Sequence, residues 1–192
     1  MNSEKEIDFT YPKKSVFKIK SKPTKIGHDS HSSIVTAAFD PEGKYLALGT
    51  FDGGVKIHFP STGKVHQIIA SSGSHSHADD ENPKSINQSK VPSTTSLRWK
   101  PSVHEGDVRA STILSQTLSD GTINHWNIVT NKLVKEITDH RENEVGMFAS
   151  DYSFNGKYYV AAGTDMKVYL YDGQTKELAR TIHSVSGKVA SH

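Results

Sequence analysis

The chain has 192 residues, a formal net charge of +2, 34% hydrophobic residues and no cysteine. No stretch approaches the ~18 consecutive apolar residues of a membrane-spanning helix, and the opening "MNSEKEIDFTYPKK" has no apolar core, so a secretory signal is not expected. The lack of cysteine excludes disulfides, thiolate zinc sites and a cysteine nucleophile, and it fits a reducing compartment.

In chain order, residues 1–14 carry no structural pattern, and "SVFKIKSK" (15–22) reads as a lone strand. Residues 11–26 hold six lysines (Lys13, Lys14, Lys18, Lys20, Lys22 and Lys25) and no acid. Residues 1–26 are therefore read as a basic arm. Its lysines either guard the solvent face of an exposed edge or engage an acidic partner: nucleic acid, an acidic lipid surface, or an acidic polymer such as a microtubule. Nucleic acid is not the expected partner, because Phe17 is the one aromatic in "FKIKSK" on which a base could stack.

From residue 31 a unit begins that recurs. "IVTAAF" (34–39) is an alternating strand, "DPEGK" a glycine turn, and "YLALG" a second strand. A tight Asp-Gly turn leads into "VKIHF", and "STGK" precedes "KVHQII". Two-residue glycine turns between β-branched, period-2 runs are hairpin signals. Residues 70–93 are nearly free of large apolar side chains and are expected to form a mobile insertion, replaceable by a short Gly-Ser linker with little change in melting temperature.

"SDGTINHWNIVTNK" (119–132) aligns without a gap on "FDGGVKIHFPSTGK" (51–64), and "TDMKVYLYDGQTKE" (164–177) is a third copy. Asp52, Asp120 and Asp165 lead the three copies. His58, Trp126 and Tyr171 fill one aromatic slot. "FDPEGKYLALGTFD" (39–52) likewise matches "YSFNGKYYVAAGTD" (152–165), and residues 99–120 fill that place in the second copy with a longer hairpin loop. Self-similarity on this scale marks a repeat architecture. The fold class is all-β: three four-stranded antiparallel units at about 31–70, 94–138 and 144–183, followed by a tail at 184–192, with four strands per unit making a propeller blade.

These residues resemble the WD-repeat β-propellers over roughly 27–183. "SDGTINHWN" is similar to that family's Ser-x-Asp-Gly-Thr followed by Trp-Asp. "IGH" (26–28), His31 and "DH" (139–140) are similar to its Gly-His. The resemblance implies a structural hydrogen-bond network in each blade, carried by Asp120 and Trp126 in the second, by His140, Asp165 and Tyr171 in the third, and by Asp52 with His28 or His31 in the first, where His58 replaces Trp. It also implies a eukaryotic, intracellular protein, cytoplasmic or nuclear. Asp120→Ala is then expected to destabilise its blade by ~1–3 kcal/mol. A closed ring of this family needs about seven blades, so three are expected to form an open, incomplete ring that associates or takes its missing blades from another chain.

No nucleophile elbow, His-Glu-x-x-His or phosphate-binding loop is present, and no catalytic residue, cofactor or metal site is expected. "HSHADDE" (75–81) offers His75, His77, Asp79 and Asp80, but in a low-complexity stretch that reads as a solvated tract. His125 reads as a packed or surface histidine, pointing away from Trp126 because neighbours on a strand face opposite sides. The expected function is a non-enzymatic scaffold for protein–protein interaction within a larger assembly. The alternative is a basic-arm binder of nucleic acid or an acidic polymer.

Overall fold

The computed structural model describes residues 33–69, 91–104 and 107–183. The basic arm, His28, His31, the His75–Asp80 stretch and most of the 70–93 insertion lie outside the described residues. Among the described residues, twelve strands form three sheets of four, each in sequence order from one edge to the other. The first sheet comprises β1 (Ile34–Phe39), β2 (Leu46–Thr50), β3 (Val55–His58) and β4 (Val65–Ile69). The second comprises β5 (Thr94–His104), β6 (Asp107–Leu118), β7 (Ile123–Asn127) and β8 (Lys132–Ile137). A single helical turn, α1 (Asp139–Glu142), leads to the third: β9 (Met147–Tyr152), β10 (Tyr158–Gly163), β11 (Lys167–Asp172) and β12 (Leu178–His183).

All pairings within the sheets are antiparallel, so each sheet has two kinds of end. The tight turns between second and third strands (residues 51–54, 119–122 and 164–166) lie at one end, here termed the turn end. The other two turns of each sheet lie at the opposite end. There the second sheet departs from its neighbours: β5 and β6 keep pairing beyond Trp99↔Leu114, through Val103↔Val108 to His104↔Asp107. The stretch expected to be a longer loop is thus a strand ladder. Its sequence, "SVH" against "DVRAST", supplies the β-branched residues a ladder accepts.

The inner strands β1, β5 and β9 lie side by side in that order, and the sheets stack face to face. Alternation along each strand sends successive side chains into different seams. The first seam packs Ala47, Val55, Ile57 and Ile69 against Leu97, Trp99, Leu114 and Ile128. The second packs Ile123 and Ile137 against Met147, Tyr152, Tyr159, Ala161, Tyr169 and Tyr171. Each fully buried large apolar side chain contributes ~1.5–3 kcal/mol. Hydrogen bonds cross both seams: the Trp99 indole donates to the Ala38 carbonyl at 3.1 Å, and the Thr95 hydroxyl donates to the Met147 carbonyl at 2.7 Å.

The outward faces of the first and third sheets are different. Among the described residues, Ile34, Val35, Phe39, Val65 and Ile68 remain exposed on the first, and Leu178 and Ile182 on the third. Apolar faces of this kind associate. Size-exclusion with light scattering on the isolated 192-residue chain should therefore show mass rising with concentration above 21.1 kDa. A single monomeric species across about a hundredfold concentration range would show that these faces do not drive association.

Candidate functional site

At the turn end the three Asp turns are built alike but bonded differently. Asp52 Oδ1 accepts from the Thr50 hydroxyl at 2.5 Å, and the same hydroxyl reaches the Gly54 carbonyl at 3.0 Å. Asp120 Oδ1 accepts from the Thr122 amide at 2.9 Å. The glycine after it is required: Gly121 has φ +97, and a Cβ there would run into the Val145 carbonyl oxygen. Asp165 accepts from the Tyr169 hydroxyl, from the Lys167 amide at 3.3 Å and from the Lys167 ammonium at 3.3 Å. Burial pushes the Asp165 carboxyl up, but the bonds from Tyr169 and Lys167 outweigh it and hold it below its ordinary value.

The third sheet brings its expected residues together. α1 turns His140 inward, 5% exposed, where its Nε2 meets the Tyr171 hydroxyl. Its ring centre lies 4.2 Å from that of Tyr169, the residue bonded to Asp165. Burial lowers the His140 pKa, opposed by the charges of Asp139 and Asp165. Burial likewise raises Tyr171 above the ordinary phenol range, with Tyr159, Asp139 and Tyr169 adding to it. This is a closed aromatic and carboxylate cluster that fixes the linker between the second and third sheets.

In the second sheet no hydrogen bond joins Asp120 to Trp126 among the described residues. The Trp126 indole instead donates to Gln116 Oε1 at 3.1 Å. Gln116, 2% exposed, then donates through Nε2 to the Thr94 hydroxyl at 2.8 Å and to the Gly53 carbonyl of the first sheet at 2.8 Å. This residue was not singled out from sequence. The signal for it was faint: an amide inside the otherwise apolar or small-residue run "ILSQTL". Because Asp120 makes a single side-chain bond, Asp120→Ala is expected near the lower bound of its range, about 1 kcal/mol. Gln116→Ala removes three bonds, leaves the half-buried Trp126 indole N–H without its acceptor and opens a cavity, so a loss of roughly 2–4 kcal/mol in urea unfolding is expected. A loss no larger than that of Asp120→Ala would contradict this ordering.

In the first sheet His58 occupies the aromatic slot, 1% exposed, with Nδ1 3.2 Å from the Gly63 carbonyl. His125, beside Trp126 on β7, faces the second seam instead. It is fully buried, its Nδ1 lies 3.2 Å from the Tyr152 hydroxyl, and its ring meets Tyr159 edge-on at 5.1 Å. Burial first, then the charges of Lys176 and Lys100, push its pKa down to about 3, so it is neutral.

Among the described residues no three His, Cys, Asp or Glu side chains are placed to hold a metal ion, and no helix is long and apolar enough to cross a membrane. The turn end presents to solvent Phe51 at 58% and Met166 at 78% exposure, with three acids, Asp139, Glu142 and Glu144, and one cation, Arg141, exposed on the neighbouring linker.

The family model for the WD domain, G-beta repeat, matches residues 21–58 and 131–172. The chain carries WD40 repeats. The second match runs from β8 through β11, so the sequence repeat begins on the outer strand of one sheet and ends on the third strand of the next. β5, β6 and β7 of the second sheet lie outside both matches, and β5 and β6 are the lengthened strands. A chain in the crystal structure of the mitotic checkpoint complex superposes with a TM-score of 0.61 at 14% identity, over 82% of this chain and 39% of that one. This chain thus spans well under half the length of that neighbour, and the likeness is one of fold. No curated protein matches.

Proposed function

We propose that the WD-repeat blades form a rigid, non-enzymatic scaffold that binds another protein on the turn end, within a larger assembly. The observation that carries this reading is the contrast at that end. The polar groups of the turns are occupied in holding the blades, whereas Phe51 and Met166 stand exposed at the same end as the acids of the linker. Exposed apolar anchors with a charged rim are the anatomy of a protein-docking surface. The neighbour's membership of a multiprotein complex points the same way.

The test is affinity capture, followed by direct titration of the purified partner with wild type and with a Phe51→Ser/Met166→Ser double variant. The variant should weaken binding by about tenfold or more, with an unchanged melting temperature. Unchanged affinity would remove the turn end as the docking surface. The six lysines of residues 11–26 support a second reading, an arm for an acidic polymer. Binding that disappears with deletion of 11–26 and at raised salt would favour it over the scaffold.

A further inference from the structure

The pairing register runs one row of side chains across each sheet. Phe39 pairs with Leu46, and Leu46 with His58, in the first. Trp99 pairs with Leu114, and Leu114 with Trp126, in the second. Tyr152 pairs with Tyr159, and Tyr159 with Tyr171, in the third. Paired residues on neighbouring strands share a face, so the three rows mark the same face of the repeat. In the second and third sheets that face is packed on the sheet before it: Trp99 and Leu114 lie in the first seam, and Tyr152, Tyr159 and Tyr171 in the second. Trp99 is 7% exposed and Tyr152 8%, whereas Phe39, in the same place, is 62% exposed.

The opposite face repeats as well. Val55 pairs with Ile69 and Ala47 with Ile57 in the first sheet, and Ile123 pairs with Ile137 in the second. These side chains are buried against the sheet that follows. Val168 with Ile182, and Val160 with Leu170, hold the same positions in the third. There Val168, Val160 and Leu170 are half-buried, and Ile182 is 48% exposed against 5% for Ile69. Each seam thus joins an aliphatic row of one sheet to an aromatic-led row of the next. Among the described residues one row of each kind is left uncovered, the aliphatic row on the third sheet and the Phe39 row on the first.

We propose that the free aliphatic face of the third blade takes the free Phe39 face of the first blade of a second copy, head to tail, so that copies continue the blade stack. The occupant is a second copy because both halves of the missing seam stand on every molecule, and each half repeats a face already used within the chain. The contact is heterologous, with a different patch on each partner. Within the chain, the Trp99 indole donates to the Ala38 carbonyl, and the Tyr152 hydroxyl lies 3.2 Å from His125 Nδ1. The Phe39 side chain has no polar group, so the seam between copies rests on apolar burial, which salt does not screen. Neither face includes Phe51 or Met166, so this assembly does not depend on turn-end docking.

The test compares wild type, Phe39→Lys and Ile182→Lys, each as the full chain. Both positions are exposed strand residues, where lysine is tolerated. In size-exclusion with light scattering at micromolar concentration, wild type should run at two or more times the 21.1 kDa of one chain. Raising salt from about 0.05 M to about 0.5 M should not reduce that mass. Each variant alone should run as one chain, because every contact then includes a lysine-bearing face. An equimolar mixture of the two should regain a species of two chains and no larger, joined through the one intact face of each partner. That recovery requires both variants to be folded. Wild type at the mass of one chain would give these faces a different occupant and overturns the assignment. Association of either variant alone to the wild-type mass overturns it too, as does a mixture that stays at the mass of one chain.

Discussion

Acidification from pH 6.5 towards pH 3 is expected to remove about 4–5 kcal/mol of stability through His125 alone. The imidazole is fully buried between the second and third blades. It faces the hydroxyl of Tyr152 on β9, the ring of Tyr159 on β10, and the ammoniums of Lys176 and Lys100. The two phenols are pushed up by burial and stay neutral at acid pH, and the two ammoniums repel a third positive charge. The folded pKa is depressed, so the unfolded chain binds the proton first. The contribution is fully present above the unfolded value of 6.5 and is lost as pH falls towards the folded value of about 3. Each pH unit in that window corresponds to ~1.4 kcal/mol. Urea unfolding of wild type and His125→Gln at neutral pH and at about pH 4.5 measures the effect, because the carboxylates common to both cancel in the difference. The variant should lose clearly less stability on acidification than wild type. Equal losses would mean that His125 is protonated in the folded state.

Tyr159→Ala should cost about 3–5 kcal/mol, the range for removing a buried aromatic side chain. Tyr159 is 0% exposed and is the largest of the fully buried side chains. It lies 4.8 Å from the Tyr152 ring centre, 5.1 Å from His125 and 6.0 Å from Tyr171, so its removal loosens three aromatic neighbours at once. Burial raises its hydroxyl to about 12, with the hydroxyls of Ser150 and Ser115 pulling the other way. Tyr159→Phe keeps the ring and removes only a buried hydroxyl that has no hydrogen-bond partner among the described residues, so it should cost well under about 1 kcal/mol. Chemical denaturation of the two variants reads both numbers. If Ala cost no more than Phe, the ring would not be the keystone of this seam.

The blades were legible because their turns are. An Asp-Gly turn followed by an alternating strand specifies a hairpin locally, and three copies in register specify a stack of sheets. His125 and Trp126 show how far alternation reaches: adjacent on β7, they serve opposite seams. Bonding partners were harder to read, because they depend on which strands meet. The family resemblance places Asp120 and Trp126 in one hydrogen-bond network of their blade. In the structure the indole goes to Gln116, whose position beside Trp126 follows from the register Gln116↔Asn124 and Leu114↔Trp126 across β6 and β7.

The central claim is that consecutive WD-repeat blades stack face to face with sealed seams, and one pair of residues tests it most directly. Ser96 on β5 and Ser150 on β9 are both buried, and their hydroxyls lie 3.1 Å apart across the second seam. The chain has no cysteine of its own. A disulfide needs Cβ atoms about 3.5–4.5 Å apart. The Ser96→Cys/Ser150→Cys variant, refolded under oxidising conditions, should therefore form an intramolecular disulfide in most molecules, seen by mass spectrometry as the 96–150 cross-linked peptide and the loss of both free thiols. Two free thiols, or cross-links between chains alone, would contradict the stacked-blade account.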